Sequence, residues 1–179
     1  MRYVIASATA SKLAVMADRL GSAAEFRIGS VAETWHGCSA MVLWWPFAYE
    51  RHGGTPEAGI AKVLLNVRDD APELVLATPP GPGLTTGLDP VEADREAFAC
   101  AVLGACIGAY RKELPGQENS TVLIHLEAAA LDRGDVEATA SGIARVLREE
   151  NRGPDTMNVS GPRSEQPTNQ GFDCRRSPS

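Results

Sequence analysis

The composition of this 179-residue chain excludes several classes of protein before any motif is considered. Hydrophobic residues make up 44% and charged residues 22% of the sequence, which is typical of a globular domain and not of a disordered polymer. The formal net charge of -6 argues against nucleic-acid binding, because that binding depends on Lys and Arg at the phosphates.

The first thirty residues predict a strand, a helix and a second strand. The segments "RYVIA" (2–6) and "EFRIG" (25–29) are short and rich in β-branched or aromatic residues, which favours strands. Between them, apolar residues recur with helical spacing and Gly21 is placed to end the helix. The residues of that apolar face are Leu13, Met16, Ala17 and Leu20.

The next segment predicts a buried strand, a loop and a helix. The run "SAMVLWW" (39–45) is apolar throughout, as expected of a central strand buried on both faces, and Pro46 is expected to end it. Thr55 followed by Pro56 gives an N-cap and a first-turn proline, so a helix is predicted over 55–67. Its buried face would consist of Ile60, Val63, Leu64 and Val67.

The second half of the chain repeats the alternation. Strands are predicted at "ELVLAT" (73–78) and "TVLIHLE" (121–127). Asp89 and Pro90 predict the start of a helix that runs to about residue 113, and Asp135 is expected to cap the last helix.

This order predicts an α/β domain over 1–150, with a mixed, mostly parallel sheet of about five or six strands between two layers of helices. Residues 151–179 are polar, rich in Pro, Gly and Ser, and lack periodicity, which predicts a disordered C-terminal tail.

The sequence also predicts a compartment and the absence of common cofactor motifs. The apolar stretch at the N-terminus is short and continues into helical periodicity with Lys12 and Asp18, unlike a signal peptide. Because no apolar run reaches membrane-spanning length, the expectation is a cytoplasmic protein without a membrane partner. The Ala-rich, Arg-rich composition is typical of a GC-rich bacterial genome. No Cys or His has zinc spacing, so neither a metal nor a cofactor is predicted.

The predicted loop 46–54 is a candidate binding site. It would follow a central strand, and its glycines 53 and 54 would precede the predicted helix, whose free N–H groups favour anions. Phe47 and Tyr49 would stack on the ring of a ligand. A plain turn that contains two glycines remains the alternative interpretation of this loop.

No catalytic signature occurs in the sequence. Ser7 and Ser30 have no base beside them in the chain, and His125 alternates with apolar neighbours as a core histidine would. Glu50 and His52 are interpreted as solvated loop residues, although an acid/base pair is the alternative.

The order of the elements resembles that of macrodomains, the family whose fold binds ADP-ribose. The segment "GSVA" (29–32) stands where macrodomains carry a Gly-Asp-Ile-Thr-like stretch, and "SAMVLWWPFAYERHGG" (39–54) stands where they have a strand and a glycine-containing loop. The strand in "TVLIHLEAAALDRGD" (121–135) is similar to the one before their diphosphate loop. The resemblance implies a macrodomain-like fold that binds ADP-ribose or a related nucleotide. The ligand-binding residues that it implies are Ser30, Val31, Pro46, Phe47, Gly53, Gly54, Thr55 and Glu127.

The departures from the family imply a degenerate pocket without strong hydrolase activity. Ser30 replaces the acid that contacts adenine, and Glu127 brings a negative charge to the place of a phosphate loop. Two other functions stay open. One is a protein-interaction module that uses Phe47, Tyr49 and the tail, and the other is an α/β enzyme of another class that uses Glu50, His52 or Glu127.

Overall fold

The protein folds around one six-stranded sheet, and the structure, a computed structural model, describes residues 1–66, 68–85, 94–117 and 119–151. The strands are β1 (Arg2–Ser7), β2 (Glu25–Ile28), β3 (Ala40–Leu43), β4 (Lys62–Leu65), β5 (Leu74–Ala77) and β6 (Thr121–His125). The helices are α1 (Ala10–Leu20), α2 (Val31–Thr34), α3 (Trp45–His52), α4 (Arg95–Glu113) and α5 (Val136–Asn151).

The sheet is mostly parallel. Its strand order is β2-β1-β6-β3-β5-β4, and only the β4–β5 pair is antiparallel. The strands β1, β6 and β3 are neighbours in the middle of the sheet and run in the same direction. Their carboxyl ends therefore lie side by side. This arrangement confirms the predicted α/β class and the predicted number of strands.

The two faces of the sheet are covered very differently. On one face, α1, α4 and α5 pack over alternate strand residues such as Ile5, Val42 and Ile124, and this layer contains most of the buried core. On the opposite face, a smaller cluster joins Val4, Met41 and the short helices α2 and α3. Helices therefore cover both faces, as predicted, but the second layer is thin.

The long helices α4 and α5 approach each other closely at Gly142. A Cβ atom at this position would collide with the carbonyl oxygen of Glu96 and would lie 3.0 Å from the Cβ of Ala99. Asp135 caps α5 as predicted, because its Oδ1 accepts a hydrogen bond from the amide of Ala138.

The predictions for 45–67 are wrong in two places. The expected strand 39–45 ends at Leu43, and residues 45–52, most of them predicted as loop, form α3, since Pro46 fits the first turn of a helix. The helix expected over 55–67 is not formed, since residues 55–61 are a loop that leads into β4, and Val67 lies outside the described residues. Apolar residues 63–65 suit a strand as well as a helix, and pairing with β5 decides between them.

Some predictions fall outside the described residues. Asp89 and Pro90, the predicted start of α4, are among them, as is the predicted disordered tail apart from residue 151. In the part of the chain that the structure describes, no helix has the length and apolar character needed to cross a membrane.

Candidate functional site

A cavity of about 530 Å³ opens on the thin face of the sheet, between α2 and α3. We call it the α2–α3 groove. It is lined by residues from both helices, from the carboxyl end of β6 and from the β4–β5 loop. A volume of this size is typical of small-molecule sites, and ligands of α/β sheets bind beyond the carboxyl ends of the strands.

The walls of the groove are apolar. Val31 of α2 and Phe47 of α3 line the groove together with Met41 and Leu43 of β3. Phe47 is 46% exposed, although a large apolar side chain gains free energy by burial. The ring of Trp44 packs edge-on against Phe47, with 5.1 Å between the ring centroids. The ring of Phe47 is therefore partly accessible to a ligand and is held in place by Trp44, which suits stacking with a flat ring of a ligand.

The wall formed by α2 is fixed by hydrogen bonds around its ends. Nη1 of Arg27 donates to the carbonyl oxygens of Thr34 and His36, each at 2.7 Å. The amide and the hydroxyl of Ser30 both donate to Oε2 of Glu33, which lowers the pKa of that carboxyl. The hydroxyl of Ser30 thus belongs to the capping of α2.

At the end of the groove nearest the carboxyl end of β6, a polar network joins β1, β6 and the segment before α2. Oγ of Ser7 donates to Oε1 of Glu127 at 2.7 Å, and it accepts from the amide of Thr9 at 3.0 Å. Nε2 of His125 lies 3.0 Å from the carbonyl oxygen of Gly29. A carbonyl oxygen can only accept a hydrogen bond, so Nε2 carries a hydrogen atom.

The other nitrogen of His125 meets the second oxygen of Glu127. Nδ1 and Oε2 are 3.3 Å apart, which is close enough for an ion pair but lacks hydrogen-bond geometry. Both atoms are inaccessible to solvent, and neither has a hydrogen-bond partner among the described residues. Oε2 of Glu127 has a donor at this place only when the imidazole carries a hydrogen atom on Nδ1 as well as on Nε2.

The other end of the groove is lined by Arg51, His52 and Asp70. It lies where α3 ends and the β4–β5 loop turns, so it is opposite the His125–Glu127 end. Burial lowers the pKa of His52, and the positive charge of Arg51 lowers it further, while Asp70 opposes these effects. Neutral His52 leaves Arg51 as the cationic group at this end.

The lowered pKa of His52 predicts a pH dependence of stability. Above the ordinary value of 6.5, His52 is neutral in both the folded and the unfolded chain. As the pH falls below 6.5, the unfolded chain takes up a proton more readily than the folded protein, so the free energy of unfolding decreases. His52→Gln is expected to flatten this decrease in urea titrations between about pH 7 and pH 5. An unchanged slope would show that other groups cause it.

The structure places four of the eight expected ligand-binding residues in the groove and four outside it. Those that line the groove are Ser30, Val31, Phe47 and Glu127. Those that do not line it are Pro46, Gly53, Gly54 and Thr55.

The expected anion site at the two glycines is wrong. The glycines follow α3 and do not precede a helix, since the amide of Gly53 donates to the carbonyl oxygen of Tyr49 at the helix end. Gly53 has φ 74°, the left-handed conformation common after a helix C-terminus. The carbonyl end of a helix dipole does not attract an anion.

Sequence reasoning missed the partners of Glu127. Ser7 and His125 seemed unconnected because they lie 118 positions apart in the chain. Both end parallel strands that pair directly, and strand ends of that kind meet at one edge of a sheet. Glu50 is exposed and does not line the groove, so it is not joined with His52 and Glu127 in one site.

Comparison with known proteins gives no relative from which a function can be transferred. No protein-family model, no curated protein and no solved structure matches the chain. Among the described residues, no group of three or more potential metal ligands occurs.

Proposed function

We propose that this protein binds a nucleotide-type ligand in the α2–α3 groove, with ADP-ribose as the candidate that the macrodomain resemblance implies. The observation that carries the proposal is the groove itself, which runs over the thin face of the sheet from the carboxyl end of β6 to the β4–β5 loop and has an apolar middle between two polar ends. The ring of the ligand would lie on Phe47. Its anionic group would lie near Arg51, whose positive charge offsets the negative charge of Asp70 at that end, whereas no Lys or Arg among the described lining residues accompanies Glu127 at the other end.

The proposal is binding without rapid hydrolysis. Ser7 brings a hydroxyl to the carboxylate of Glu127, but it is fully buried and donates its hydrogen atom directly to that carboxylate. A nucleophilic serine would instead be accessible to the ligand and would be hydrogen-bonded to the histidine. The described side chains of the groove thus suit recognition better than covalent catalysis.

A protein-interaction role for Phe47 and Tyr49 has weaker support. The two rings do not form one exposed patch, because Tyr49 is partly buried and packs beside Gly54. Burial raises the pKa of Tyr49, as expected for a phenol removed from water.

A thermal-shift titration with ADP-ribose, ADP and NAD tests the proposal. Ligand that binds only the native state must raise the melting temperature, so millimolar ADP-ribose is expected to stabilise the protein. Ala32→Trp places a large side chain in the groove from the exposed surface of α2, and it is expected to weaken binding at least about 10-fold.

The matched control is Ala101→Trp on the exposed side of α4, which should bind like the unmodified protein. No stabilisation of the unmodified protein at millimolar nucleotide would refute the proposal. Equal binding by both tryptophan variants would move the site away from the groove.

A further inference from the structure

The charged side chains that line the α2–α3 groove give it no excess of positive charge. Arg51 is the one Lys or Arg among the described lining residues, whereas two carboxylates, Asp70 and Glu127, line the groove. Glu127 lies beside His125, and this pair adds no net positive charge, whether or not the imidazole is protonated. The groove therefore offers one guanidinium to a ligand and carries a carboxylate at each end.

Asp70 has no direct partner at the end where Arg51 lies. In the part of the chain that the structure describes, no Lys, Arg or His forms an ion pair with Asp70. The charges of both Arg51 and Asp70 act on His52, but burial lowers the pKa of that imidazole, which is therefore neutral above pH 7. Arg51 alone among the described lining residues thus opposes the negative charge of Asp70.

We infer that Asp70 determines specificity in the groove by selecting ring ligands with at most one negative charge, such as a nucleoside or a nucleoside phosphodiester. This inference rests on the proposed function, in which the ring lies on Phe47 and an anionic group lies near Arg51. Like charges at a binding site act against the wrong ligand as much as opposite charges favour the right one.

The selection follows from the number of cations in the groove. Arg51 can contact one anionic group closely, but a second group would lie farther from Arg51 and would meet no other cation among the described lining residues. The repulsion between that group and Asp70 is then not offset. ADP-ribose has a diphosphate with two charges, so it is expected to bind more weakly than a phosphodiester of adenosine.

The effect of Asp70 on each charge of the ligand is moderate. Its side chain is exposed, and exposed charge pairs are screened by water and salt. A factor of about 2 in affinity is expected for each negative charge of the ligand. These factors multiply, so the discrimination increases with the total charge of the ligand and decreases at high ionic strength.

The first measurement is calorimetric titration of the unmodified protein with adenosine, AMP methyl ester, AMP and ADP at low ionic strength and without Mg²⁺. At about pH 7.5 these ligands carry no, one, about two and about three negative charges. The affinity is expected to be highest for the methyl ester and to decrease by about 2-fold with each further charge. Binding of ADP as tight as that of the methyl ester would overturn the inference.

The second measurement repeats these titrations with Asp70→Asn. The affinity for adenosine should not change, whereas that for the methyl ester should increase by about 2-fold and that for ADP by about 8-fold. Asp69→Asn is the matched control, because Asp69 is equally exposed but does not line the groove. Its effect on ADP should be smaller, and equal effects of the two variants would refute the assignment to Asp70.

The two measurements separate the failure of this inference from that of the proposed function. If none of the four ligands and no ADP-ribose binds the unmodified protein, the proposed function fails and the role of Asp70 fails with it. If the ligands bind but Asp70→Asn leaves all of their affinities unchanged, the proposed function stands and the role of Asp70 is refuted.

Discussion

Replacement of Gly142 by alanine is expected to destabilise the protein by about 3 kcal/mol, which is a large part of the stability of a domain this size. The added methyl group would enter the contact between α5 and α4, where the nearest atom is the backbone carbonyl oxygen of Glu96. Backbone atoms inside a helix cannot turn aside as a side chain can, so the two helices must separate. Urea unfolding followed by circular dichroism measures this loss.

Gly104→Ala is the control for the intrinsic preference of a helix for alanine. Gly104 lies on the exposed side of α4, and a Cβ atom there would have no neighbour within 4 Å. This change is expected to stabilise the protein by about 0.5 to 1 kcal/mol. If Gly142→Ala also stabilised the protein, the close approach of α4 and α5 would be refuted.

Replacement of Ile124 by alanine is expected to cost about 3 to 4 kcal/mol. Ile124 is fully buried in β6, the strand that pairs with both β1 and β3. Its side chain lies in the core between the sheet and the helices α1, α4 and α5. Removal of three carbon atoms there leaves a cavity that a close-packed core fills only partly.

Ile28→Ala gives the matched comparison at the edge of the sheet. Ile28 ends β2 and is 61% exposed, so its truncation should change the free energy of unfolding by less than about 0.5 kcal/mol. Equal effects of the two substitutions in chemical denaturation would contradict the central position of β6.

Local patterns predicted most of the sheet. β1, β2, β3, β5 and β6 are short apolar segments, and the structure confirms each of them within two residues. The helical spacing of Met16 and Leu20 likewise predicted α1, and both residues are buried.

The predictions for the segment 45–65 were wrong because its local sequence signals conflict with its tertiary contacts. Thr55 and Pro56 form a good helix start, but the chain after them pairs as β4 with β5. The tryptophans at 44 and 45 extend an apolar run and so favour a strand, but the chain turns there into α3. Since the glycine doublet lies between these two segments, the expected anion site failed with them.

The sequence predicted some individual residues of the candidate site but not how these residues come together. Phe47 and Glu127 were expected to contact a ligand, and both line the groove. Arg51 was not expected there, because a loop was predicted where α3 places it. The network of Ser7, Glu127 and His125 depends on the pairing of β1 with β6, which the chain order does not reveal.

The unequal coverage of the two faces of the sheet has an evolutionary consequence. The residues that hold the chain folded lie mainly under α1, α4 and α5, whereas most of those that would meet a ligand lie on or beneath two short helices. Substitutions on the exposed surfaces of α2 and α3 can therefore accumulate with little loss of folding. Descendants of one ancestral scaffold of this kind would diverge in what they recognise while they keep the same architecture.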